Sequence, residues 1–179
     1  MNFLDTNGVK DLVLLEPKVF GDDRGYFFES WNRELFAAVG ISKVFVQDNQ
    51  SRSQRGVLRG LHYQTRYTQG KLVRVISGEV FDVAVDLRKN SSSYGKWFAT
   101  ILSEHNKRIF WIPPGFAHGF LVLSETADLV YKCTRKYSPK HNVCIRWDDP
   151  DLNIQWPMQP NSLSAKDSAG ILFKDAPKF

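Results

Sequence analysis

From Leu12 to Trp156 the chain alternates apolar and polar residues over short runs, each closed by Gly, Pro, Asn or Ser. Period-two alternation with frequent turn residues is what antiparallel strands produce, because successive side chains leave opposite faces of a sheet. In EVFDVAVDL (79–87), Phe81, Val83, Val85 and Leu87 share one face, and Val80, Asp82, Ala84 and Asp86 share the other. The preceding KLVRVI joins it through Ser77-Gly78, which reads as a short hairpin turn. Further strands are expected at 12–20, 26–30, 43–51, 57–64, 97–102, 108–112, 119–123, 129–137 and 143–147. One helix is expected over 33–39, with Asn32 as its cap, Gly40 as its stop, and Leu35, Phe36 and Val39 on one face. About ten short strands predict a single β-sandwich or barrel over 1–179, not two domains. Residues 149–179, richer in Pro, Asp and Ser, are expected to form an arm with small helical turns packed on that barrel.

Composition narrows the function. No apolar stretch approaches the roughly 18 to 20 residues of a membrane helix, and the start of the chain lacks the basic and apolar pattern of a signal peptide, so a cytoplasmic location is expected. Cys133 and Cys144 have no CxxC spacing, which argues against a disulfide framework and a structural zinc site. The net charge of +5, from 24 basic and 19 acidic residues, suits an acidic substrate. The basic residues form no stripe, so no nucleic-acid partner is expected.

Three segments carry groups capable of chemistry. In RGVLRGLHYQ (55–64), Arg59 and His62 are three residues apart, so strict alternation sends them to opposite faces unless a bulge at Gly60 reunites them. A hydrogen-bonded structural histidine and a base beside an anion-binding arginine are both open readings. In IPPGFAHGF (112–120), a Pro-Pro-Gly turn leads into a strand bearing His118. The two histidines could belong to a cupin metal site, but Gln64 stands where the second histidine of its His-x-His pair would fall, and the incomplete ligand set argues against a catalytic metal. In LVYKCTRKY (129–137), Tyr131, Cys133, Arg135 and Tyr137 share one face of an uninterrupted strand; the tyrosines are either wall residues or a phenol donor and an aromatic platform. Arg24 and Glu29 in GDDRGYFFES read in isolation as a surface ion pair, and Lys166-Asp167 in LSAKD as an exposed helix start.

Taken together, FGDDRGYFFES, QDNQS, RGVLRGLHYQ, QGKLVRVISGEVFDVAVDLR, WIPPGFAHGF, YKCTRKYSP and LSAKD resemble, in order and spacing, the dTDP-4-dehydrorhamnose 3,5-epimerase family over nearly the whole chain. The resemblance implies an all-β, cupin-like jelly roll with a few short helices, needing no cofactor or metal, that forms a homodimer and inverts carbons 3 and 5 of a dTDP-linked 4-keto-6-deoxy sugar on the way to dTDP-L-rhamnose. It implies catalytic roles for His62 as base, Asp167 as the carboxylate on its other ring nitrogen, Lys71 at the keto oxygen and Tyr131 as the opposing proton donor. The implied binding set is Arg59 and Arg24 at phosphate or sugar, Gln47, Asn49, His118 and Lys166 at nucleotide and sugar hydroxyls, Phe27 as a wall, and Tyr137 stacked on the pyrimidine. Arg24 and Glu29 would come from the partner subunit. Asn142 stands where many members have a glutamate near the base site, and an amide can donate as well as accept, so the preferred base could differ from thymine. Arg135-Lys136 replaces residues that are uncharged in several relatives.

Three rival readings have distinct signatures. An epimerase of carbon 3 alone, or of another nucleotide-linked keto-deoxysugar, differs in product stereochemistry. A metal-dependent cupin using His62 and His118 would hold a stoichiometric ion. A sugar-nucleotide binding module would have no evident need for His62, Tyr131, Lys71 and Asp167 together.

Overall fold

A computed structural model describes residues 1–179. The chain runs through β1 (Asn2–Leu4), β2 (Val13–Glu16), β3 (Phe20–Asp22), β4 (Gly25–Phe27), α1 (Arg33–Ala38), β5 (Gln47–Gln54), β6 (Leu58–Gln64), β7 (Lys71–Ser77) and β8 (Glu79–Asp86). It continues through β9 (Trp97–Ser103), β10 (Ile109–Ile112), β11 (Phe116–Val122), β12 (Thr126–Cys133), β13 (Asn142–Cys144) and α2 (Ala165–Ser168). A front sheet ordered β1-β2-β10-β7-β12-β5 faces a back sheet ordered β13-β6-β11-β8-β9, and the pairings within both are antiparallel. This is the expected cupin-like jelly roll. No helix is long and apolar enough to cross a membrane.

The alternation in the sequence becomes layers. Inward residues of the front sheet, including Val73, Val75 and Leu129, meet Val80, Ala84, Phe120 and Val122 of the back sheet in the central core. The outer face of the back sheet is also covered: Val83, Val85, Leu87 and Ala117 lie under Ile145, Leu152, Ile154 and Ala176. Strands buried on both faces lose their polar alternation, which is why β8 and β11 are so apolar. On the outside of the front sheet, α1 lies over Leu15, Leu72, Ile109 and Trp111. At six residues it is too short to persist alone; fully buried Phe36 anchors it, and Asn32 Oδ1 accepts from the N–H groups of Glu34 and Leu35.

Several expectations are corrected. Leu35 is 51% exposed, because the step of α1 toward Phe36 turns its neighbour to solvent. Ser77-Gly78 is no hairpin: β7 belongs to the front sheet and β8 to the back, so the turn carries the chain between layers. The strand expected at 12–20 divides into β2 and the unrelated β3, and a further short strand, β1, precedes the alternating region. The strand expected to run to Tyr137 ends at Cys133, where its partner β5 ends. Beyond it, side chains replace the ladder: Tyr137 N–H donates to Gln47 Oε1 and Ser138 N–H to Gln64 Oε1.

Gly78 shows how narrow the crossing is. Its φ is +77°, and a Cβ there would collide with the Thr126 carbonyl and Ser124 Oγ. Gly78→Ala is expected to cost at least about 2 kcal/mol, read as a fall in the urea midpoint. Gly8, also left-handed at φ +72° but with open space around it, should lose only about 1 kcal/mol on the same change.

Candidate active site

The inward rows turn from apolar to polar as they leave the core. On β7 the row runs Val75, Val73, Lys71; on β12, Ala127, Leu129, Tyr131; on β11, Val122, Phe120, His118. These polar ends, with Gln47 and Asn49 of β5, line a cavity of about 400 Å3 between the sheets. Arg59, His62, Tyr137, Asn142, Lys166 and Asp167 complete the set. Every site residue expected from sequence therefore reaches one cavity, except Arg24, Phe27 and Glu29.

Arg59 and His62 meet there through the bulge anticipated at Gly60. On β11, His118 and Phe120 are two apart; their partners on β6, His62 and Arg59, are three apart. Gly60 has φ +122°, and a Cβ on it would strike Gly119 and the His118 carbonyl, while one on Gly119 would strike the Arg59 carbonyl. Two facing glycines thus permit the close approach that turns both side chains inward. Arg59 Nε donates to Ser53 Oγ at 3.0 Å.

His62 Nε2 lies 2.5 Å from Asp167 Oδ1. A carboxylate only accepts, so Nε2 carries the proton and Nδ1 is left as the basic nitrogen. The second oxygen of Asp167 accepts from Ser164 Oγ at 2.6 Å, and the Gly60 N–H also donates to Oδ1, at 3.2 Å. Burial alone would push the Asp167 pKa up, but hydrogen bonds from His62, Ser164 and the Gly60 amide together outweigh it and hold the pKa at about 2. Asn142 Nδ2 stands 3.3 Å from Nδ1 of His62.

His118 is buried, with Nε2 2.9 Å from Asp82 Oδ1; burial lowers its pKa against the pull of Asp82, favouring a neutral ring with Nδ1 turned to accept. Lys71 is pulled below the usual lysine range by burial, with Cys133 and Asp82 opposing, and its Nζ lies 6.0 Å from the Tyr131 ring centre. Burial raises the Tyr131 phenol. Lys166 Nζ is 3.4 Å from Tyr137 Oη. Arg59, Lys71 and Lys166 form no salt bridge with a carboxylate, so the cavity gathers three basic side chains free to meet a ligand, an arrangement suited to an anion.

Arg24, Phe27 and Glu29 lie elsewhere. Strands β3 and β4 pair only with each other, Arg24 is bound to Asp22 at 2.6 Å, and Phe27 is 71% exposed. His62, Cys144 and Asp167 place possible metal donors within 4.8 Å of one another. They fit a metal poorly: both Asp167 oxygens already accept protein hydrogen bonds, and burial with the adjacent carboxylate pushes the Cys144 thiol up to about 12, leaving it protonated. Gln64 is no ligand either, its amide being spent on Tyr67 O and Ser138 N–H.

Asp82 and Ser164 were not singled out from sequence. Ser164 had a legible signal, since Ser-x-x-Asp is the shape of a helix cap, and it does cap α2 by accepting from the Asp167 N–H. Asp82 had a fainter one, an acid on the inward face between Val80 and Ala84.

Comparison with known proteins finds close relatives over nearly the whole chain. A family model described as dTDP-4-dehydrorhamnose 3,5-epimerase matches residues 6–175. The chain is 58% identical over 173 residues to a dTDP-4-dehydrorhamnose 3,5-epimerase of Pseudomonas aeruginosa, covering 96% of each chain. It is 55% identical over 181 residues to one of Shigella flexneri, covering 100% of this chain and 99% of the relative. A crystal structure of dTDP-6-deoxy-D-glucose-3,5-epimerase from Legionella pneumophila, in complex with dTDP-4-keto-L-rhamnose, superposes with a TM-score of 0.94 at 52% identity, covering 98% of this chain and 94% of that one.

The low Asp167 pKa has a consequence for stability. The folded carboxyl binds its proton more weakly than the unfolded one, so its contribution is full above about pH 4 and is lost as pH falls toward 2. In that window Asp167→Asn should show a shallower loss of urea stability with falling pH than the parent protein; equal slopes would contradict the charge assignment.

Proposed function

The chain belongs to the dTDP-4-dehydrorhamnose 3,5-epimerase family, and from that membership and the cavity we propose that it is an isomerase inverting carbons 3 and 5 of dTDP-4-keto-6-deoxy-D-glucose, a step toward dTDP-L-rhamnose. The observation that carries the reading is the His62–Asp167 pair on the back-sheet side of a cavity whose front wall holds Tyr131 and Lys71. A carbon beside a ketone loses its proton as the electron pair moves into the carbonyl, forming an enolate; this calls for a base on one side and a positive charge at the oxygen. His62 Nδ1 takes the proton, and Asp167 steadies the imidazolium that results. Lys71 stabilises the enolate oxygen. Tyr131, on the facing sheet, returns a proton to the opposite face of the ring, and the carbon is inverted.

Binding follows from the remaining groups. Arg59 and Lys166 suit the pyrophosphate, Tyr137 offers its ring to the pyrimidine, and Gln47, Asn49 and His118 present hydrogen-bonding groups to hydroxyls. The hairpin β3–β4, strand-paired with neither main sheet and exposing Phe20, Tyr26 and Phe27, suits delivery of Arg24 and Glu29 into the cavity of a second copy in a homodimer.

Proton NMR of the keto sugar in heavy water tests the chemistry. Loss of signal at both carbons beside the ketone is expected; loss at one would select a mono-epimerase, and loss at neither would exclude this substrate. His62→Ala should lower turnover at least about 10³-fold with dTDP affinity nearly unchanged, and Tyr131→Phe should slow net inversion more than proton exchange. The dimer has its own test. Arg24→Ala and His62→Ala proteins, each impaired alone, should on subunit exchange recover roughly a quarter of parental activity, because only a mixed dimer holds a site with both side chains. No recovery would place Arg24 outside the partner's site.

A further inference from the structure

We propose that Asn142 is a positioning residue for proton transfer at His62, holding the ring nitrogen that the Asp167 bond leaves free. The inference rests on the reading of His62 as the base. In the ladder, Cys144 lies opposite His62 and Asn142 opposite Gln64, so Asn142 is the diagonal neighbour of His62 on β13. Its side chain crosses that diagonal, and Nδ2 donates to Nδ1 at 3.3 Å. Held by Asp167 at one nitrogen and Asn142 at the other, the imidazole is fixed in rotation about its ring axis before any ligand arrives.

The length of the second bond matters. At 3.3 Å it is beyond the usual range for a strong hydrogen bond, weak enough to yield when a substrate C–H approaches the same nitrogen. Once protonated, Nδ1 becomes a donor, and the amide can invert to present its oxygen; one uncharged side chain therefore serves both states of the base. A carboxylate at 142 could serve only the protonated state. The other groups facing His62 do not duplicate this role. Asp167 of α2 bonds Nε2, and the Cys144 thiol donates to the same Asp167 oxygen. His118 of β11 is committed to Asp82 of β8, and Lys71 of β7 and Arg59 of β6 bring positive charge into the cavity.

The test uses turnover and dTDP binding with two variants of the full chain. Asn142→Leu, close in size but without hydrogen bonding, should lower kcat about tenfold while KM and the dTDP dissociation constant stay within about twofold. Asn142→Asp should move the acid limb of the kcat/KM profile to higher pH, because a carboxylate beside the ring stabilises the imidazolium and the base form then needs a higher pH to appear. A purely structural asparagine would lower stability without moving that limb. An unchanged kcat in Asn142→Leu, an unmoved limb in Asn142→Asp, or a loss of dTDP affinity with kcat retained would each overturn the proposal, the last by making Asn142 a contact for the nucleotide. If Asn142→Leu does not fold, the limb of Asn142→Asp decides alone. Absence of proton exchange by the parent protein would instead remove the reading of the site itself, and this inference with it.

Discussion

Burying the Asp167 carboxylate is the constraint around which the site is organised. An anion this far from water is tolerable only when donors surround it, and here they come from three parts of the chain: the His62 ring and the Gly60 amide of β6, the Ser164 hydroxyl at the cap of α2, and the Cys144 thiol of β13. The C-terminal segment is thereby joined to the back sheet at the cavity and not only across the apolar layer beneath it. The same bonds that make the charge affordable choose the His62 tautomer. Fold and chemistry meet in one carboxylate, so a change at Asp167 reaches both.

That arrangement presupposes a close approach of two strands. Had β6 kept strict alternation, Arg59 and His62 would face opposite sides, and one would lie in the apolar layer beneath the back sheet. The bulge prevents this, and it needs Gly60 and Gly119 together because each leaves room for the other's backbone. With the bulge in place the Gly60 amide also points at Asp167, so a backbone irregularity supplies both the geometry of the pair and one of its hydrogen bonds.

How much of this was legible depends on range. Alternation is a local property, and it located most strands, the short helix with its Asn32 cap, and the glycine able to bulge β6. Partner choice is not local: nothing in Ser77-Gly78 distinguishes a hairpin from a crossing between sheets, since both require a tight left-handed glycine. Strand length failed for a related reason. The pattern through Tyr137 continues to alternate, but β12 stops where β5 runs out and the Gln47 and Gln64 side chains take over the backbone groups. At the site, the residue types were readable from the motifs, whereas the Asp82 partner of His118 and the contact of Asn142 with His62 arise from neighbouring strands and have no signature within one segment.

A two-layer sandwich also offers a reason why a fold of this kind suits inversion. The groups on the two walls differ in character because they belong to different sheets: the back sheet brings His62, its tautomer set by Asp167, and the front sheet brings Tyr131 beside Lys71. A single strand or helix would set acid and base side by side, and a proton removed would tend to return to the face it left. Facing sheets place them on opposite walls of the cavity. On the proposed roles the cation sits on the donor's wall, where its charge would favour the enolate oxygen and help the nearby phenol give up its proton, against the burial that raises the phenol's own pKa. On the proposed reading, stereochemistry is then a property of architecture: the ligand lies between layers, and each layer supplies one half of the proton transfer.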